Sequence, residues 1–182
     1  MATNFPKIPY IKTWATGQVL TAGDMNTQIR DTVDFFTARK PHASAYGLAS
    51  SVTYNDNSWT DVPLDAISVD THSGFDSNGV YTAAISGWYQ VMGCAIFTPD
   101  SAFDRGVRFV LDGQPVSGIS LVDSSNNGYS TGVCLSRMVP IVAGQNIRLQ
   151  GWHNAGHTVA SEPTGAGYLD LAFFSQFYSY TA

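Results

Sequence analysis

From Ala45 to the C-terminus, short runs of β-branched and aromatic residues alternate with clusters of Gly, Asn and Asp, and no segment there repeats convincingly at helical spacing. This punctuation constrains the fold more than any other feature, because many short strands bury their apolar rows only as a sandwich or a barrel. Strands are predicted at 51–54, 79–85, 87–97, 106–111, 114–121, 130–139, 146–153 and 167–180. Asp112-Gly113 is the clearest hairpin signal, since a two-residue turn needs positive φ at both positions. A chain of 182 residues leaves room for one such unit with an appendage and excludes two large domains. The expected class is all-β, a jelly-roll sandwich.

The chain changes character at Pro41. Residues 5–14, Phe-Pro-Lys-Ile-Pro-Tyr-Ile-Lys-Thr-Trp, interleave two prolines with apolar groups, which suits an extended arm lying in a groove. Thr21-Ala-Gly-Asp24 carries a capping pattern with Asp in the acidic place, and Lys40-Pro41 supplies a cationic end and a stop. Between them Ala22, Met25, Ile29, Thr32 and Phe36 form a narrow apolar seam with Val33 alongside. Periodicity alone leaves open whether this seam faces the sandwich, copies of itself or a larger body. The division expected is an arm and helix over 1–42 and a β knob over 43–182.

Alternation assigns faces to the strands. In 168–180, Leu169, Leu171, Phe173 and Phe177 form one row, read as core, while the other row holds Tyr168, Phe174, Tyr178 and Tyr180. The second row is too aromatic for a solvated face, and both rows of 89–97 are likewise mostly apolar. A sandwich of this size cannot cover both faces of its own sheets, so Tyr89, Phe174, Tyr178 and Tyr180 are expected at a homotrimer interface.

Charge narrows the partners. Net charge is −5, with +2 on residues 1–42 and −7 on the remainder, which has no Lys and only Arg105, Arg108, Arg137 and Arg148 as cations. That pattern argues against nucleic acid, whose phosphates require a basic stripe. No apolar stretch of signal-peptide or membrane-spanning length is present, so neither secretion by that route nor membrane insertion is expected. Cys94 and Cys134 lie in apolar runs. A disulfide and a pair of free thiols are both open, and without a signal peptide two free buried thiols are favoured.

Motifs for chemistry are sparse. There is no G-x-S-x-G, no H-E-x-x-H, no phosphate-binding glycine loop and no paired-Cys motif. The sole Glu is Glu162, and Asp100, Asp104, Asp112 and Asp123 sit in turn-like contexts where Asp serves the backbone. His153-Asn-Ala-Gly-His157 with Glu162 has metal-ligand residue types, but the glycines place it at a strand end, and exposed loop histidines are the expected state. No enzyme activity, metal or cofactor is expected. The remaining functional signal is aromatic: Trp59, Tyr129 and Trp152 lie among Ser, Asn, Gly and Thr, as do Trp88, Tyr46 and Tyr54, a mixture suited to stacking on sugar rings. Burial in the core or a subunit seam is the competing role for these rings.

Gly87-Trp-Tyr-Gln-Val91 leading into Ile96-Phe97, then Val107-Arg-Phe-Val-Leu-Asp-Gly113, Val142-Ala-Gly-Gln-Asn-Ile-Arg-Leu149 and a final Tyr/Phe-rich strand resemble the globular heads of the complement and tumour necrosis factor superfamily. The resemblance covers about residues 43–182 and implies a jelly roll assembled as a compact trimer around aromatic residues. Long loops such as Asp123-Ser-Ser-Asn-Asn-Gly128 depart from it. Residues 13–31, with Trp14-x-x-Gly17-x-x-x-Thr21-Ala22, then Asn26 and Arg30-Asp31, resemble a segment near the N-terminus of virion proteins of tailed phages, especially those of actinobacteria. This second resemblance implies a non-enzymatic virion protein assembled in the bacterial cytoplasm and displayed on the particle surface. Its partners would be other virion proteins, with host surface glycan as ligand of a tail or fibre adhesin; the alternatives are a capsid decoration and, remotely, a cell-wall carbohydrate-active enzyme. Phe5, Ile8, Tyr10, Ile11 and Trp14 are the expected attachment residues, and Met25, Ile29 and Phe36 the expected helix seam.

Overall fold

The computed structural model describes residues 15–35, 40–47, 52–100, 103–124, 128–162, 165 and 167–175. A short helical segment is followed by β1 (His42–Tyr46), β2 (Thr53–Tyr54), β3 (Thr60–Asp61), β4 (Ala66–Asp70), β5 (Tyr81–Thr82), β6 (Gly87–Phe97) and β7 (Phe103–Leu111). Then come β8 (Gln114–Pro115), β9 (Ser120–Ser124), β10 (Thr131–Ile141), β11 (Asn146–His153), β12 (Val159–Ala160) and β13 (Gly167–Ser175). Five strands in the order β10-β6-β13-β1-β4 form the first sheet. The second is built on β3-β11-β7-β8, with β5 beside β11 and β9 beside β7. The chain passes between the two layers at β3–β4, β4–β5, β5–β6, β6–β7, β9–β10 and β10–β11, as in a jelly roll.

Period-two burial explains why the layers meet where they do. Along β6, Gly87, Tyr89, Val91, Gly93, Ala95 and Phe97 are buried while Trp88, Gln90 and Met92 face outward. Leu169, Leu171 and Phe173 of β13 and Ile147 and Leu149 of β11 fill the same interior, as their alternation required. Each large apolar side chain so buried contributes about 1.5–3 kcal/mol. Gly93 lets the layers close: a Cβ there would stand 2.9 Å from both Leu149 Cδ1 and Phe109 Cε1.

The hairpin at Asp112-Gly113 is present, with φ of 47° and 78°, joining β7 to β8. The stretch read as one strand over 114–121 divides into β8 and β9, with Gly118 at φ 99° between them. Strand β1, between β13 and the edge strand β4 of the first sheet, lies ahead of the strands read from the sequence, because its contribution to the core is only Ala43 and Ala45. It pairs with β13 from His42↔Ala172 to Tyr46↔Tyr168. The N–H of Phe173 donates to the Pro41 carbonyl at 2.9 Å. The chain therefore enters β1 and leaves β13 at one end of the sandwich.

Helical structure begins at a capping box: the Asp24 N–H donates to Thr21 Oγ1 at 3.1 Å and the Thr21 N–H to Asp24 Oδ2 at 3.3 Å. An α turn α1 (Ala22–Met25) passes into a π segment (Asn26–Arg30) and a second α turn α2 (Asp31–Asp34). A π winding runs through the expected 3-4-3-4 seam, whose last member, Phe36, lies outside the described residues. Met25, Ile29 and Val33 are exposed at steps of four, while Thr32 turns partly inward. Among the described residues of this segment Phe35 enters the core, meeting Phe173 edge-on at 5.9 Å between centroids.

The cysteines also depart from expectation. Cys94 and Cys134 form a disulfide across β6 and β10, on the outer side of the first sheet, rather than two free thiols. Antiparallel register from Phe97↔Thr131 to Gly87↔Ile141 sets them directly opposite, Cα atoms 4.0 Å apart. Cys94 is buried and Cys134 exposed.

Candidate functional site

The outer face of the second sheet gathers aromatic and polar groups from three strands. Pairing of Thr60 with Gly151 and Asp61 with Gln150 brings Trp59, just before β3, beside Trp152 of β11. Their rings stack at 6.0 Å with planes 30° apart. Arg108 of β7 faces Gln150 in register and lays its guanidinium carbon 4.3 Å from the Trp59 ring centroid. Gly106, opposite both Trp152 and Leu121, leaves room for this arrangement: a Cβ would come 3.4 Å from Trp59 Cη2 and 2.7 Å from Leu121 Cδ2. Leu121 is 54% exposed. Trp152, Trp59 and Leu121 thus make one half-open shelf.

A polar chain borders the shelf. Arg108 Nε donates to Gln150 Oε1 at 2.9 Å, Gln150 Nε2 donates to Asp61 Oδ1 at 2.7 Å, and Arg148 Nε lies 3.3 Å from the same oxygen. Partial burial pulls the Arg108 pKa below its ordinary value, against the pull of Asp61, but a guanidinium remains charged at any physiological pH. Its two terminal nitrogens have no partner among the described residues.

Of the expected glycan contacts, the structure brings Trp59 and Trp152 together and leaves Tyr129 apart. Tyr129 is 76% exposed on the β9–β10 connection and makes no ring contact with either tryptophan. Tyr54 is wholly buried against Phe97, in the core role expected as the competing one for these rings. Trp88 and Tyr46 lie on the first sheet's outer side. Arg108, Gln150 and Asp61 went unrecognised in the sequence. Alternation puts Arg108 and Gln150 outward, but the register that joins them to Trp59 has no local signature.

The site residues expected at a trimer seam divide. Tyr89 is not on an outer face: its ring is buried between the sheets, where its hydroxyl donates to the Ile85 carbonyl at 2.7 Å. The parity of β6 is the reverse of that expectation. Phe174 stands 68% exposed. Tyr178 and Tyr180 lie outside the described residues, as do Phe36 and the attachment residues Phe5, Ile8, Tyr10, Ile11 and Trp14.

At the far end of the sandwich the histidines do not converge on a metal. His153 is buried, its Nε2 2.9 Å from the Tyr54 carbonyl, instead of exposed on a loop. His157 pairs with Asp100 at 2.7 Å, and this hydrogen bond raises the imidazole pKa. Asp56 accepts from the Gly156 N–H at 2.8 Å, which holds its carboxyl below the usual range. Among the described residues no three His, Cys, Asp or Glu side chains are placed to hold a metal ion. Arg105 is buried, with its guanidinium carbon 4.0 Å from the Phe103 ring centroid and Nη1 donating to Thr131 Oγ1 at 3.3 Å.

No family model matches the chain, and no curated protein sequence matches it. Solved structures do. The globular domain of zebrafish complement 1qA protein superposes with a TM-score of 0.56 at 14% identity, over 76% of this chain and 100% of that one. The Eiger TNF structure from S. frugiperda gives 0.52 at 11% identity, over 79% and 99%, and murine APRIL gives 0.53 at 13%, over 72% and 99%. The sandwich therefore has the fold of the complement 1q and tumour necrosis factor globular domains.

Proposed function

We propose that the chain is a non-enzymatic structural and binding protein of a tailed-phage virion, a tail or fibre adhesin whose knob associates as a homotrimer and contacts host surface glycan. The observation that carries this reading is the division of labour between the two outer faces. On the first sheet, Met92, Met138 and Phe174 are 38%, 43% and 68% exposed among the polar groups of Gln90, Asp170 and Ser44, a mixed face suited to a second copy of the chain. On the second sheet, pointing the opposite way, the tryptophan shelf stays open when the first face is covered. The N-terminal resemblance to phage virion proteins supplies the setting, with residues 1–42 as attachment arm.

Carboxylate usage supports a binding rather than a hydrolytic role. Asp112 accepts from the Asn146 N–H and Gln145 Nε2, Asp104 from Asn154 Nδ2, and Asp100 is held by His157. A glycosidase requires two carboxylates free to face a substrate across a cleft.

Two measurements test the proposal. Light scattering of the purified full chain should return three times 19.6 kDa, and a monomer at micromolar concentration would sink the assembly. Antibody raised to the chain should label intact particles at the tail, in a few tens of copies at most; about a hundred or more copies on the head would make it a capsid decoration.

A further inference from the structure

We infer that the Trp59–Trp152 shelf selects saccharides carrying an acidic group, read by Arg108. This inference rests on the reading of the shelf as a glycan surface and adds the charge of the ligand. Residues 43–182 carry −7 with four arginines in all, and two of the four, Arg108 and Arg148, stand on this face, whose acids among the described residues include Asp61 and, on the same side of β7, Asp104, the latter held by Asn154. Asp61 is already engaged by Gln150 and Arg148. The polar chain holds Arg108 by its Nε only, so the planar fork of terminal nitrogens is oriented beside the tryptophan ring and left with capacity to donate. Such a fork matches a carboxylate or phosphate in two parallel hydrogen bonds. A pyranose ring stacked on the tryptophans would then present its acidic substituent to the guanidinium, while a neutral sugar would have only the stacking surface.

Charge elsewhere makes the placement selective. With a net −5, the molecule as a whole repels polyanions, so binding of an acidic ligand depends on the local contact to Arg108. Stacking without the arginine remains sequence-tolerant in its sugar preference, because every pyranose has an apolar face.

The experiment is a tryptophan-fluorescence titration of the full chain with three probes: an oligogalacturonate, its neutral methyl ester of the same length, and citrate as an anion without a sugar ring. The acid oligomer is expected to bind at least about tenfold more tightly than the ester, a difference of about 1.4 kcal/mol. Arg108→Gln should abolish that preference, so that acid and ester bind the variant equally, and Trp59→Ala/Trp152→Ala, followed by calorimetry because the substitution removes the reporting rings, should lose both oligomers. Equal binding of acid and ester overturns the charge selectivity and leaves the glycan reading standing. Citrate matching the acid oligomer overturns it too, by showing a bare anion site, and no response to either oligomer at millimolar concentration overturns both readings. Light scattering of each variant reports that the fold and assembly are intact.

Discussion

Phe35 and Phe173 meet edge-to-face in the core at 5.9 Å, although one belongs to the helical segment before β1 and the other to β13. The division at Pro41 therefore crosses a packed contact: the knob's interior borrows a ring from the segment before it. Phe35→Ala should destabilise the fold by about 3–5 kcal/mol, the usual cost of emptying a buried aromatic site. Urea unfolding of wild type and variant measures this. A change under about 1 kcal/mol would show that the ring is dispensable and the knob self-sufficient from residue 41.

The same logic places the first sheet's outer face under test. Phe174→Asp puts a charge where a neighbouring copy is proposed to sit, and a buried unpaired carboxylate costs several kcal/mol. The variant should run as a monomer with unchanged circular dichroism. Tyr89→Phe, by contrast, removes a hydroxyl bonded inside the chain. It should lower stability by about 1 kcal/mol and leave the assembly state alone.

For the disulfide the expected effect is thermodynamic. Cys94 and Cys134 are 40 residues apart in sequence, and closing such a loop stabilises a fold by about 2–4 kcal/mol. Because the facing strands pair along their whole length, Cys94→Ala/Cys134→Ala should fold to the same structure at that lower stability. Mass spectrometry after thiol alkylation establishes whether the bond is present in the purified chain. Two alkylated cysteines in the untreated protein would return the free-thiol reading.

Alkali offers a fourth measurement. Burial pushes the phenols of Tyr54, Tyr81 and Tyr89 well above their ordinary value of 10.0. A group whose folded pKa lies above its unfolded one contributes stability that is complete below the unfolded value and is lost as pH rises through the folded value. Stability should therefore hold to about pH 10 and then fall. Phenolate absorbance should rise in two steps, with these three of the nine tyrosines ionising only as the chain unfolds. A single smooth titration of all nine below the unfolding transition would contradict their burial.

Strand identity was legible wherever large residues alternated. The bounds of 87–97 and 146–153 match β6 and β11, and the Leu169, Leu171, Phe173 row is the core of β13. The turn at Asp112-Gly113 and the cap at Thr21 were legible because each depends on a few adjacent residues. What escaped depends on partners distant in sequence. Ala43 and Ala45 carry too little hydrophobicity to announce a strand. Tyr89 falls in a run apolar on both rows, where parity is undecided until β13 and β10 pair with it. Trp59 and Arg108 meet only through β11, and Cys94 meets Cys134 only through the register of β10.

The shared end of β1 and β13 gives the sandwich two unlike poles. Pro41 and Ser175 leave the sandwich side by side, while the connections after Phe97 and His153 sit at the other pole. A segment joined directly at Pro41 or at Ser175 would meet the sandwich at that pole and leave the connections after Phe97 and His153 uncovered.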